Sequence, residues 1–212
     1  MRKYILTIFS LFSALTISAQ NSQKLLDKFT RQMEKNGCMS MHLDVTVRNM
    51  SNQISDRQEA DITMDGTRFH YDADDDGSVW FDGKTMWRAS ALNDEIGEIY
   101  ISLPSDQEQF LLNPLKFMRD HKGFSVSGDD RSTFTLTAST PEGNVEGIRT
   151  ISFTLDPSSL VPQTVLVKFA DDAGGISAEI TVSDYKGGLK LPDSEFKCNP
   201  KDYPDAEVID LR

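Results

Sequence analysis

The sequence predicts a mainly β protein of about ten or eleven strands with two helical segments. Three observations predict it. Apolar and polar residues alternate with period two, as where Met41, Leu43, Val45 and Val47 interleave with His42, Asp44, Thr46 and Arg48. Turn signals rich in Asp, Gly and Pro recur between such runs. Only two stretches switch to helical spacing.

The N-terminus reads as an export signal. Arg2 and Lys3 form a basic start, Ile5 to Ile17 is an apolar run, and Ile17-Ser18-Ala19 supplies small residues for cleavage. The run is shorter than the ~20 apolar residues a spanning helix needs. Gln20, not a cysteine, stands directly after the cleavage site, so no lipid is expected on the chain itself. The expectation is a signal peptide at residues 1–19 and a single domain at 20–212.

Ser22 to Lys35 reads as an amphipathic helix with Leu25, Leu26, Phe29 and Met33 on one stripe. Asn36-Gly37 stops it. After the run from Met41, Ala60, Ile62 and Met64 alternate with Asp61 and Thr63. Phe69 and Tyr71 lead to an Asp/Gly turn at 74–77, then Val79 and Phe81 lead to Asp82-Gly83, a candidate two-residue hairpin turn before Thr85, Met86 and Trp87. Ser105-Asp106-Gln107-Glu108 has the form of a capping box and opens the second helical segment, with Phe110, Leu111 and Leu112. Asn113-Pro114 breaks it, and Pro114 can start another turn carrying Leu115, Phe117 and Met118.

The later strands alternate cleanly. Phe134, Leu136 and Ala138 interleave with threonines. Ile151, Phe153 and Leu155 precede Asp156-Pro157. Val165, Val167 and Phe169 precede the turn at 171–175, and Ile176, Ala178, Ile180 and Val182 close the series. Each such strand has one apolar face, which must be covered. A curled, half-closed barrel plugged by the two helices satisfies this, and so does a two-sheet sandwich. Alternation alone does not separate them.

Composition narrows the chemistry. The net charge is −11, and about −13 without Arg2 and Lys3. Such a surface repels phosphate backbones, which argues against nucleic acid as a partner. Cys38 and Cys198 form no C-x-x-C motif. Export favours oxidation, so a Cys38–Cys198 disulfide is expected, stabilising by about 5 kcal/mol in the chain-entropy treatment. The alternative is two unpaired buried thiols.

Catalytic and metal motifs are missing. His42, His70 and His121 show no paired-ligand spacing, and there is no G-x-S-x-G, Walker or G-x-G-x-x-G pattern. Asp72-x-Asp74-x-Asp76-Gly77 starts like an EF-hand loop, but Gly83 stands where its bidentate Glu is needed. No metal, no cofactor and no enzymatic activity are expected.

At Asp82-Gly83-Lys84-Thr85-Met86-Trp87 the chain resembles the outer-membrane lipoprotein carrier (LolA) family, which carries an Asp-Gly-Lys-Thr-Leu-Trp type hairpin. Upstream, Asp65 to Tyr71 resembles the family's aromatic-x-aromatic strand. Pro104 to Met118 resembles its mid-chain helical plug. Phe196 with Tyr203-Pro204-Asp205-Ala206-Glu207-Val208-Ile209-Asp210 resembles its ending. The resemblance implies an incomplete antiparallel β-barrel closed by helices over an apolar cavity. It implies a periplasmic, monomeric shuttle for the acyl chains of lipoproteins or other acylated cargo, served by an inner-membrane extraction complex and an outer-membrane acceptor. A lipid-sensing or hydrophobic-ligand-binding module of the same fold is the alternative function.

Parity along the strands, with the resemblance around Trp87, designates Met41, Leu43, Phe69, Tyr71, Phe81, Trp87, Phe153, Val165, Phe169 and Ile180 as the lining of an acyl cavity. Phe110, Leu111 and Leu112 are designated as its lid. The family often has an Arg-Pro pair before the aromatic-x-aromatic strand, whose Arg helps hold the lid shut. Here Asp65-Gly66 occupies that place, and nearby Arg68 is the candidate substitute.

Overall fold

Period-two alternation matures into strands where the chain can pair its backbone groups and bury one face. The computed structural model describes residues 21–73, 77–92, 95–104, 123–129, 131–139, 147–170 and 175–212. The expected signal peptide and the expected lid residues Phe110, Leu111 and Leu112 lie outside the described residues.

The described residues hold one α-helix, α1 (residues 21–36), and twelve strands. These are β1 (Cys38–Arg48), β2 (Ile54–Asp65), β3 (Arg68–Ala73), β4 (Gly77–Phe81), β5 (Met86–Leu92), β6 (Glu95–Ser102), β7 (Phe124–Gly128), β8 (Thr133–Ala138), β9 (Ile148–Leu155), β10 (Pro162–Phe169), β11 (Ser177–Leu189) and β12 (Glu207–Asp210). They form one sheet in the order β12-β6-β5-β4-β3-β2-β1-β11-β10-β9-β8-β7, with β12 and β7 as its edges. The two-sheet sandwich is therefore set aside in favour of a single open sheet.

Twelve strands exceed the ten or eleven expected, and the sheet is not purely antiparallel. β12 pairs with β6 in parallel, Val208 opposite Ile99 and Ile209 opposite Tyr100. Neither strand has a clean alternation. In β6 Glu95, Ile96, Gly97 and Glu98 break the pattern, and the β5–β6 register shifts between Ser90 and Ala91.

The chain divides into two compact units. The described residues of the first come from Met1–Gln32, Val47–Ser55 and Met118–Glu179, and those of the second from Met33–Thr46, Asp56–Phe117 and Ile180–Arg212.

In the first unit, β7 to β10 form an antiparallel ladder. Phe134 faces Phe153, which faces Val165, and Leu136 faces Ile151, which faces Val167. The opposite face is hydroxylic, with Thr135 and Ser152 sharing a 2.9 Å hydrogen bond. Phe29 of α1 covers the apolar face, its ring 5.7 Å from Phe134 and 5.8 Å from Phe153. Phe134 and Phe153 stack at 4.7 Å. Leu25, Leu26, Phe29 and Phe134 are each 2% exposed or less. Each contributes roughly 1.5–3 kcal/mol by burial.

In the second unit, β2 to β6 form the antiparallel ladder. The β4–β5 connection is a four-residue loop, not the expected two-residue turn, because Phe81 pairs with Met86. The Asp82 carboxylate closes it by accepting from the Lys84 and Thr85 amides at 3.0 and 2.8 Å. Gly83 takes the left-handed conformation there, at φ +94. Past β11, short 3-10 turns at Asp193–Phe196 and Pro200–Asp202 lead to β12.

Candidate functional site

Strand register gives the second unit's sheet two different faces. On one face Ile62 pairs with Tyr71 and Met64 with Phe69, then Phe69 with Phe81 and Tyr71 with Val79. Phe81 pairs with Met86, Val79 with Arg88, and Arg88 with Tyr100. Phe69, Phe81 and Met86 form a buried apolar cluster, with Met64, Tyr71 and Val79 packed against it. The Phe69 and Phe81 rings lie 5.8 Å apart. Beside this cluster is a cavity of about 310 Å³, whose walls include Tyr71, Ala73, Val79, Arg88 and Tyr100.

The other face carries Trp80 opposite Trp87, with Ala89 opposite Ile99 and Trp87 opposite Ile101. Trp80, Ala89, Ile99, Ile101 and Cys198 form a second buried cluster, joined by Tyr203 and Ala206. The C-terminal segment therefore packs on this face. Trp80 and Tyr203 stand 6.2 Å apart. His70 stacks on Trp80 at 4.9 Å and meets Glu195 through Nδ1 at 3.2 Å. Its Nε2 is buried and has no hydrogen-bond partner among the described residues.

Arg68 organises the start of this segment. One guanidinium nitrogen donates to Asp193 at 2.6 Å and another to Asp65. Its carbon sits 4.6 Å from the centre of the Phe196 ring. Hydrogen bonds from Arg68 hold the Asp193 carboxyl below its ordinary value, and the two carboxylates raise the guanidinium. Arg68 thus fastens the C-terminal segment, through Asp193 and Phe196. The lid it was expected to hold lies outside the described residues.

The designated cavity residues do not all share a face. Phe69, Tyr71 and Phe81 lie together. Trp87 is on the opposite face, with Trp80. An antiparallel hairpin with an even number of loop residues pairs odd positions with even ones. Phe81 and Trp87 are both odd, so they point apart. Met86 and Arg88 belong to the Phe81 face and were missed for the same reason, and Tyr100 joins that face by pairing with Arg88. Met41 and Leu43 on β1 and Ile180 on β11 are half-buried. In the first unit Phe153 and Val165 are direct cross-strand partners, and Phe169 pairs with Ile148 past a register shift. Phe153 lies against Phe29 and Phe134, as a core residue does.

The expected disulfide is absent. Cys38 and Cys198 are both free and both buried. Burial, with Asp65 nearby, pushes the Cys38 thiol up, and burial aided by Asp202 pushes Cys198 up to about 11. Both therefore pack as small apolar residues and are held protonated in the folded chain.

Polar clusters also fall outside the sequence expectation. His42 and Asp44 on β1 and Glu59 on β2 each bring one ligand atom within 4.8 Å of the others. Asp44 and Glu59 are exposed. The His42 ring meets Asp61 at 2.8 Å, and that hydrogen bond raises its pKa. In the EF-hand-like run, Asp74 and Asp76 lie outside the described residues, while Asp72 accepts from the Ser78 hydroxyl at 2.7 Å. Among the described residues no helix is long and apolar enough to cross a membrane.

Known proteins share this architecture. No curated protein matches the chain in sequence. Among solved structures, an uncharacterized conserved protein from Thermus thermophilus aligns with a TM-score of 0.54 at 14% identity, over 87% of this chain and 98% of that one. A LolA superfamily protein from Nitrosomonas europaea aligns at 0.47 and 11% identity, over 84% and 97%. The first of these likenesses concerns the fold alone. The family model described as outer membrane lipoprotein carrier protein LolA matches residues 12–171, well over half the sequence, and the chain belongs to that family.

Proposed function

We propose that the protein is a periplasmic carrier that binds the acyl chains of lipoproteins in an apolar cavity and moves them towards the outer membrane. The observation that carries the reading is the apolar cluster of Phe69, Phe81 and Met86, with Met64 and Val79 beside it and a cavity at its edge. It stands on a sheet face distinct from the one the C-terminal segment covers. Family membership supports the same reading.

An acyl chain gains ~0.8 kcal/mol for each CH₂ it buries. A carrier therefore needs contiguous apolar surface rather than a reactive group. Cargo comprises lipoproteins or other acylated molecules, taken from an inner-membrane complex and passed to an outer-membrane acceptor. The N-terminal pattern at Arg2, Lys3 and Ile5–Ile17 supports export into the compartment where this happens.

The test is binding of a fluorescent acyl probe to the purified protein, paired with native mass spectrometry of protein taken directly from cells. The expected result is saturable probe binding and a co-purified acylated species. A protein that binds no probe and carries no acylated molecule refutes the carrier reading.

A further inference from the structure

We propose that His42, Asp44 and Glu59 form a binding site for a divalent transition metal ion of the zinc class, with Asp61 as the residue that orients His42. The site lies on the sheet face opposite the Phe69–Phe81–Met86 cluster. It goes beyond the carrier reading and does not depend on it.

Strand period places the donors together. His42 and Asp44 stand two apart on β1, and Glu59 and Asp61 two apart on β2, so each pair shares one face. Ile62 and Met64, of the other parity, pair with Tyr71 and Phe69 on the cluster's face. A contact across the strands joins the two pairs, with His42 Nδ1 lying 2.8 Å from an Asp61 carboxylate oxygen. One ligand atom each of His42, Asp44 and Glu59 falls within 4.8 Å of the others. Tetrahedral zinc ligands stand about 3.4 Å apart at bond lengths of about 2.1 Å. Asp44 and Glu59 are exposed, so small side-chain rotations close the remaining gap.

The donor chemistry selects the metal. An imidazole with two carboxylates suits zinc, whereas calcium and magnesium take oxygen ligands. The Asp61 bond holds Nδ1 and leaves Nε2 to coordinate. That is the carboxylate–histidine–metal arrangement, in which the outer carboxylate fixes the ring and raises its basicity. Three protein ligands leave a fourth position for water. Local charge also favours a cation. Asp61 stands directly opposite Asp72 on β3, and like charges facing each other across a ladder are destabilising. Asp44 and Glu59 add two more carboxylates on that face. Asp184 and Lys186 on β11 line the depression beside His42 and Asp61 and carry opposite charges, so they leave the acidic excess in place.

The experiment titrates zinc into untagged, chelator-stripped protein by calorimetry, with calcium and magnesium as comparisons. The expected result is one zinc per chain, bound about tenfold or more tighter than either of the others. His42→Ala should weaken zinc by more than about tenfold, since loss of an outer partner alone costs about that much. The double substitution Asp44→Asn with Glu59→Gln should do the same with the far-UV circular dichroism unchanged. Asp61→Ala should weaken zinc by about tenfold, and Asp61→Asn by less, because its amide oxygen still accepts from Nδ1–H. A wild-type protein with no saturable zinc binding overturns the proposal without any variant. Equal affinity for calcium also overturns it, as the mark of a general acidic surface. So does zinc binding that survives either His42→Ala or the double substitution. Full zinc affinity in Asp61→Ala overturns the orienting role given to Asp61.

Discussion

The Arg68 guanidinium lies 4.6 Å from the centre of the Phe196 ring, and it joins two residues far apart in the sequence. Phe196 is 1% exposed. The same guanidinium holds Asp65 at the end of β2 and Asp193 in the turn before Phe196. One side chain therefore fastens the hairpin β2–β3 to the segment that covers Trp80. Cation–π contacts contribute roughly 0.5–2 kcal/mol, more when desolvated, while the exposed ion pair to Asp193 adds little.

Arg68→Gln should therefore destabilise the protein by about 1–2 kcal/mol. The loss should centre on residues 193–210. Hydrogen exchange there should accelerate more than in β8 and β9. Arg68→Lys should recover only part, because an ammonium cannot reproduce the planar fork over a ring. Uniform protection across 193–210 in Arg68→Gln would show that the C-terminal segment is held without Arg68.

Much of the first unit was legible in the sequence. Phe134, Leu136 and Ala138 alternate with threonines and are buried as alternation requires. The helix stripe Leu25, Leu26, Phe29 and Met33 is also buried. Local periodicity reports these because one face of each element is inside. The C-terminal cover was not legible in this way. Phe196, Cys198, Tyr203 and Ala206 follow no strand or helix period, and Cys198, Tyr203 and Ala206 pack with Trp80 and Ile99 through contacts that no local pattern encodes. The Trp87 placement failed for a countable reason, the even loop at 82–85. The free thiols contradict an expectation drawn from compartment alone, which carries no information about where a side chain packs.

The two cysteines give a direct chemical check. Native protein should resist thiol reagents at neutral pH, because both groups are buried and held protonated. Denaturant without reductant should then reveal two reactive thiols per chain. A mass lower by the two hydrogens of a disulfide would contradict the packing of Cys198 among Trp80, Ala89 and Ile99.

Asp129 closes the β7–β8 hairpin and makes part of the stability pH-dependent. Burial opposes its charge. Four hydrogen bonds outweigh that, from the amides of Arg131, Ser132 and Thr133 and from the Thr133 hydroxyl, and its carboxyl titrates well below the usual range. A depressed folded-state pKa stabilises above the unfolded value of about 4 and loses that contribution as pH falls below it. Asp129→Ala should cost on the order of 1 kcal/mol at pH 7, a figure kept small because the residue is solvent-exposed. Urea unfolding of the two proteins should converge as pH drops below about 4. Neighbouring Gly128→Ala should be worse at every pH. Its φ is +134, and an added Cβ would collide with the Thr133 carbonyl oxygen.

The two faces of the second unit allow the carrier reading to be tested against itself. Phe81 and Trp87 are separated by one tight loop, yet Phe81 belongs with Phe69 and Met86 while Trp87 packs with Trp80. If acyl chains lie on the Phe81 face, the two positions must differ in binding. Phe81→Ala removes a side chain that is 3% exposed and should cost about 3–5 kcal/mol of stability if the space is a packed core. A cavity that accepts ligand relaxes or admits the chain, so a smaller loss is expected, with a sharp fall in probe affinity. Trp87→Phe keeps most of the packing against Ile101 and should leave affinity within about twofold, since one aromatic replaces another. Measuring urea unfolding and probe displacement on both variants separates the outcomes. Weakened binding in Trp87→Phe with normal binding in Phe81→Ala would move the acyl site to the face under the C-terminal segment. Full stability loss in Phe81→Ala with no change in binding would make the Phe69–Phe81–Met86 cluster an ordinary core.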